Sequence, residues 1–147
     1  MEDRIRELMN ISDIYGVKAE FNCTDTCYRN SGFSAIDEIW MTPHDDIDNL
    51  TAGFFHELAH CVYPKISKGA ELPDTSFSIL SYEATCWELG FKLAKKHGYE
   101  WHFSSPVYSY AYKCLFSYVF GEGDDWLRIF IDLKEIQDQL DTWIKRR

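Results

Sequence analysis

Apolar side chains recur every three or four residues over five stretches of the chain, and between the first and second of these they alternate with polar ones. The first spacing is that of a helix and the second that of a strand. Residues 2–14 carry Ile5, Leu8, Met9 and Ile14 at helical spacing, with Gly16 placed to end the run. The next thirty residues predict a small, mostly antiparallel sheet of about three short strands. In it "VKAEF" alternates, "SGFSAI" supplies a turn and an extended piece, and "DEIWMTP" runs into a proline. The charge and the proline of this last piece suit a sheet edge, either a protected one or one that accepts an extended peptide as a further strand.

The stretch "PHDDIDNLTAGFFHELAHCVYP" offers Asp45, Asp46 and Asp48 as N-caps and Pro64 as terminator, bracketing a helix of about 15 residues. A longer helix is expected from Ser76 to His97, capped by Gly98, and another over 104–120. Trp126, Ile129, Phe130, Leu133, Ile136, Leu140 and Trp143 mark a fifth, opened by Asp124 or Asp125 and closed by Lys145, Arg146 and Arg147. About five helices with a small sheet make an α+β fold, read as one domain over 1–147 with a core in 1–100 and C-terminal helices in 104–145.

Composition narrows what such a domain does. At 46% hydrophobic and 16% aromatic residues, 147 residues suffice for a real core. Fifteen basic against 24 acidic side chains, a formal net charge of −9, argue against nucleic acid and against anionic membrane as partners. "PVYSYAYKCLFSYVF" is too short and too polar for a membrane span, and "MEDRIRELMN" lacks a signal-peptide core, so a cytoplasmic location is expected. Five cysteines are then read as reduced thiols. Cys23 and Cys27 lack the second pair that a structural zinc site needs.

The chemistry concentrates in "GFFHELAHCV", residues 53–62. Positions four apart on a helix lie nearly above one another, so His56 and His60 can reach one ion. Glu57 is turned by about 100° and projects beside them, placed to take a proton rather than to ligate. A catalytic zinc ion normally has three protein ligands, so a third is expected elsewhere. The glycine and histidine of the metzincin continuation are replaced by Tyr63 and Ile66.

Helical phase separates two carboxylates on the next helix. With Glu83 at zero, Ile79, Leu80, Trp87, Gly90 and Ala94 fall within about 60° of it, which centres Glu83 on the apolar face. Glu88 falls near about 140°, with the spacing of a surface ion pair to Lys92. A carboxylate among apolar side chains calls for a compensating charge, which a divalent cation supplies. Glu83 is thus the expected third ligand, 83 − 60 = 23 residues after the second histidine. The other readings of Glu83 are a pairing with a basic side chain or a hydrogen-bonded core position, and His97 is the alternative ligand.

At these residues the chain resembles a known group. "HELAH", followed after a loop by "YEATCWELGFKLAKKHG", looks like the gluzincin-type zinc metallopeptidases. Over roughly residues 1–97 the order of elements is most similar to the compact ImmA/IrrE-like metallopeptidase domains. The resemblance implies a zincin-like fold with the motif on a central helix, one Zn2+ ion held by His56, His60 and Glu83, and site-specific cleavage of an intracellular protein such as a repressor. A second similarity, to SprT-like proteases, rests on "HGYEW", residues 97–101, and would make His97 the third ligand.

The expected function is therefore zinc-dependent endopeptidase action with Glu57 as general base. Tyr108, Tyr110, Tyr112 and His102 follow the glutamate helix as candidate donors to the oxyanion, although Tyr108 and Tyr112 share a helix face and equally suit a core. The alternative is a non-catalytic zincin-fold module for protein–protein interaction, which has no need of Glu57.

Overall fold

The computed structural model describes residues 1–21, 32–42, 46–66, 76–102 and 104–119. Its elements are α1 (Glu2–Ile14), β1 (Lys18–Glu20), β2 (Gly32–Ala35), β3 (Glu38–Met41), α2 (Ile47–Ile66), α3 (Ser76–Lys96) and α4 (Pro106–Val119). The class is α+β, with four helices among the described residues. The expected fifth helix and the Cys23/Cys27 pair lie outside them.

Helix α1 buries Leu8 and Ile11, while Met9 and Ile14 face outward, so only part of the expected apolar stripe reaches the core. It ends at Gly16, whose φ of +68° lies where a side chain would be strained. Arg4 fastens the helix to its neighbours: its guanidinium donates to Thr51 Oγ1 at 2.8 Å and lies 4.7 Å from the centre of the Tyr99 ring.

The sheet departs from expectation in its pairing. Its order is β1-β3-β2, with β2 antiparallel to β3 but β1 parallel to it, so it is mixed rather than mostly antiparallel. The strand expected at an edge, β3, is central, hydrogen-bonded on both sides, and has no free side on which to take an extended peptide. Asp37 turns the β2–β3 hairpin at φ +59° and pairs with Lys65 at the end of α2.

Helix α2 begins as its sequence suggests: Asp46 Oδ1 accepts from the backbone N–H groups of Asp48 and Asn49, each at 2.9 Å. It does not stop at Pro64 but continues to Ile66. A proline this close to a helix end removes a single late backbone bond, a smaller loss than in mid-helix. Residues 51–59 of α2 are all buried. The reason is position: α1, β2, β3, α3 and α4 all pack against it. A helix surrounded in this way buries side chains all round, not along one stripe.

Two clusters of apolar side chains lie on its flanks. The larger joins Leu8, Val17, Ile39, Phe54, Phe55 and Leu58 with Cys86 and Ala94 of α3. The smaller joins Trp87 and Phe91 of α3 to Val107, Tyr108, Ala111 and Leu115 of α4. Among the described residues no helix is long and apolar enough to cross a membrane.

Candidate metal centre

The site is built where α2 and α3 meet, and the two backbones come unusually close. A Cβ placed on Gly90 would stand 2.9 Å from the Phe55 carbonyl oxygen and 3.0 Å from the His56 nitrogen. Glycine is required there by the approach of the helices rather than by its own backbone angles. Gly90→Ala is expected to destabilise the fold by about 1–2 kcal/mol: the atoms it meets are backbone and cannot step aside, so the overpacking cost takes the upper part of its range, about 2–3 kcal/mol, less about 1 kcal/mol of helix propensity that alanine adds. Chemical denaturation of the purified variant measures it.

This close approach brings Glu83 against the two histidines. Glu83 Oε2 lies 2.9 Å from His56 Nε2 and 3.0 Å from His60 Nε2, and the two nitrogens are 3.2 Å apart. His56, Glu57 and Glu83 are each at most 7% exposed. Among the described residues, these three ligand-bearing side chains, His56, His60 and Glu83, form a group able to hold a metal ion.

The donor triangle fits a small cation. Tetrahedral bonds of 2.0–2.1 Å place donor atoms about 3.3 Å apart, and the three separations found are within a few tenths of an ångström of that. His56 Nδ1 is buried without a hydrogen-bond partner among the described residues. Without an ion, the electrostatics are those of a buried ion pair. Burial raises the Glu83 carboxyl, but hydrogen bonds and charge from both imidazoles outweigh it and hold the group down at about 2. Burial lowers His60, yet contacts with Cys86 and Glu83 lift it to about 11. The carboxylate is thus held charged, as a metal ligand must be, whereas His60 has to give up a proton before its Nε2 can ligate, so that metal uptake releases protons.

Glu57 stands apart from the triangle. Its Oε1 is 4.0 Å from His56 Nε2, beyond a hydrogen bond but beside the nitrogen that would face an ion. The side chains that support the triangle come from one stripe of α3. Trp87 stacks on His56 with ring centres 4.2 Å apart and 19° between planes, and Cys86 Sγ is 3.5 Å from His60 Nδ1. Tyr82 meets the His60 ring edge-on at 5.2 Å.

The remaining candidates separate by position. His97 is far from the triangle: its Nε2 shares a 2.8 Å hydrogen bond with the Tyr15 hydroxyl, and its ring stacks on Phe55. It closes α1 onto the end of α3. Glu88 pairs with Lys92 at 3.3 Å on the outer face. Tyr108 is buried flat against Phe91, 6° between planes, and Tyr112 packs against the same cluster. His102 is exposed, with Nδ1 2.6 Å from Ser104 Oγ. Tyr110, by contrast, meets Trp87 edge-on at 6.1 Å, and its hydroxyl lies 3.6 Å from where a Gly53 Cβ would stand, one turn before Glu57. Burial, the Cys114 thiol and the Glu57 charge all push its phenol above the usual range.

No protein-family model, curated protein or solved structure matches the chain.

Proposed function

We propose that the protein is a zinc-dependent endopeptidase that cuts a specific protein in the cytoplasm. The observation that carries this reading is the meeting of two imidazole nitrogens and a carboxylate oxygen in one buried triangle with a second carboxylate, Glu57, alongside. Two nitrogens and one oxygen suit zinc, and three protein ligands leave a fourth position open. The resemblance of "HELAH" and the following glutamate helix to ImmA/IrrE-like metallopeptidases supports the same reading, and extends it to a partner such as a repressor.

Bound zinc would supply a Lewis acid that polarises the scissile carbonyl and brings the attacking water's pKa toward ~7. His56, His60 and Glu83 would hold it. Glu57 takes the proton from the attacking water and returns it to the leaving amine. Tyr110, whose phenol is held protonated near Glu57, donates to the oxyanion as it develops. The burial of Glu57 keeps this proton transfer out of bulk solvent.

Metal content tests the first half. Purified chain should hold one zinc per molecule, lose it to a chelator, and regain it with a thermal stabilisation that grows with free zinc. The expected gain is about 2.7 kcal/mol at a hundredfold excess over the dissociation constant. Absence of stoichiometric zinc would refute the reading. One zinc per chain without cleavage of any protein in a host-cell extract would leave the non-catalytic interaction module.

A further inference from the structure

The two imidazoles of the triangle are held by different means. His56 is gripped by the face of Trp87, and its Nδ1 has no hydrogen-bond partner among the described residues. His60 has a partner on the ring nitrogen that faces away from Glu83: Cys86 Sγ, 3.5 Å from Nδ1. The two nitrogens of one imidazole point in nearly opposite directions. A sulfur touching Nδ1 therefore cannot share an ion held at Nε2, and acts on the ring from behind.

We propose that Cys86 is a positioning residue for His60, accepting the Nδ1 proton on its sulfur so that Nε2 is left bare toward the cation. The inference rests on the zinc reading above. Ligand histidines usually donate their second ring nitrogen to a carboxylate or carbonyl, which fixes both tautomer and orientation. Here the thiol stands in that place. Cys86 is fully buried, so water does not compete for the contact. It lies one turn after Glu83, so the third ligand and the residue that orients His60 are carried on one face of one helix. Tyr82, edge-on to the same ring, restrains its rotation. A thiol sulfur is a weak acceptor, which sets the expected effect near the lower end of the range for such partners.

The test is zinc affinity of the full chain, measured by competition with a chromophoric chelator for wild type, Cys86→Ala and Cys86→Ser. It is joined by proton–nitrogen NMR of the zinc-loaded histidines. Cys86→Ala is expected to bind zinc about tenfold more weakly. Cys86→Ser, which leaves a similar void but keeps an acceptor, should recover part of that loss. In wild type, His60 should show a slowly exchanging proton on Nδ1 that exchanges faster in Cys86→Ala. Equal affinities for wild type and Cys86→Ala, a serine variant no better than alanine, or an unprotonated His60 Nδ1 would overturn the assignment. If Cys86→Ala does not fold, the wild-type proton and the serine variant decide. Failure of wild type to bind zinc would instead remove the metal reading, and this inference with it.

Discussion

Glu57→Gln is expected to keep one zinc per chain and to lose cleavage by a factor of about 10²–10⁴, the usual contribution of a positioned general base. Glutamine matches glutamate in size and hydrogen-bonds in its place, but it cannot take a proton. Glu57 lies outside the donor triangle, 4.0 Å from His56 Nε2, so the proposed metal ligands are untouched by the change. New protein N-termini in a host-cell extract provide the readout when the substrate is unidentified. Those formed with zinc-loaded wild type should disappear with the glutamine variant. Their persistence would show that another group moves the proton.

Glu83→Ala should act at an earlier stage, on the metal itself. If the free energy of zinc binding, about 10–16 kcal/mol for structural sites of four donors, is spread roughly evenly, losing one donor weakens binding by about 10²–10³. The alanine also leaves the two imidazole nitrogens, 3.2 Å apart, with no carboxylate between them. Glu88→Ala, five residues on, removes a surface pair with Lys92 and should leave zinc content unchanged, with that pair costing no more than about 0.5 kcal/mol. Zinc content of the two variants after dialysis against weak chelator separates them. Zinc lost by Glu88→Ala and kept by Glu83→Ala would reverse the assignment of the third donor.

The contrast between these two glutamates was legible in the sequence, because α3 is 21 residues long and helical phase accumulates reliably over its turns. The same count puts Cys86 about 60° from Glu83. Its role was hidden because a buried cysteine reads as a small apolar side chain. Sheet order was not legible. Strands of three and four residues alternate correctly but carry no record of which neighbour they pair with, and β3 enters the middle of the sheet after β2 has taken the edge. Pro64 was a misleading stop signal, since what proline forbids costs little in a last turn. Among the tyrosines, the shared face of Tyr108 and Tyr112 proved to be a core face, as their spacing allowed. Tyr110 follows no such pattern, and only the packing of α4 over Trp87 and Gly53 brings it near Glu57.

The contact at Gly90 and the Tyr15–His97 bond act together as an index for α3. The first sets how deeply the helix seats against α2. The second fixes its angle from a point fourteen residues beyond Glu83, roughly 21 Å along the axis. A donor atom some 6 Å off that axis travels about 1 Å for every 10° of roll, while zinc bonds tolerate about 0.2 Å. The angular play that zinc in the proposed site would allow is thus only about 2°. Such tolerance is set at two points along the rod, and His97, outside the donor triangle, holds the outer one.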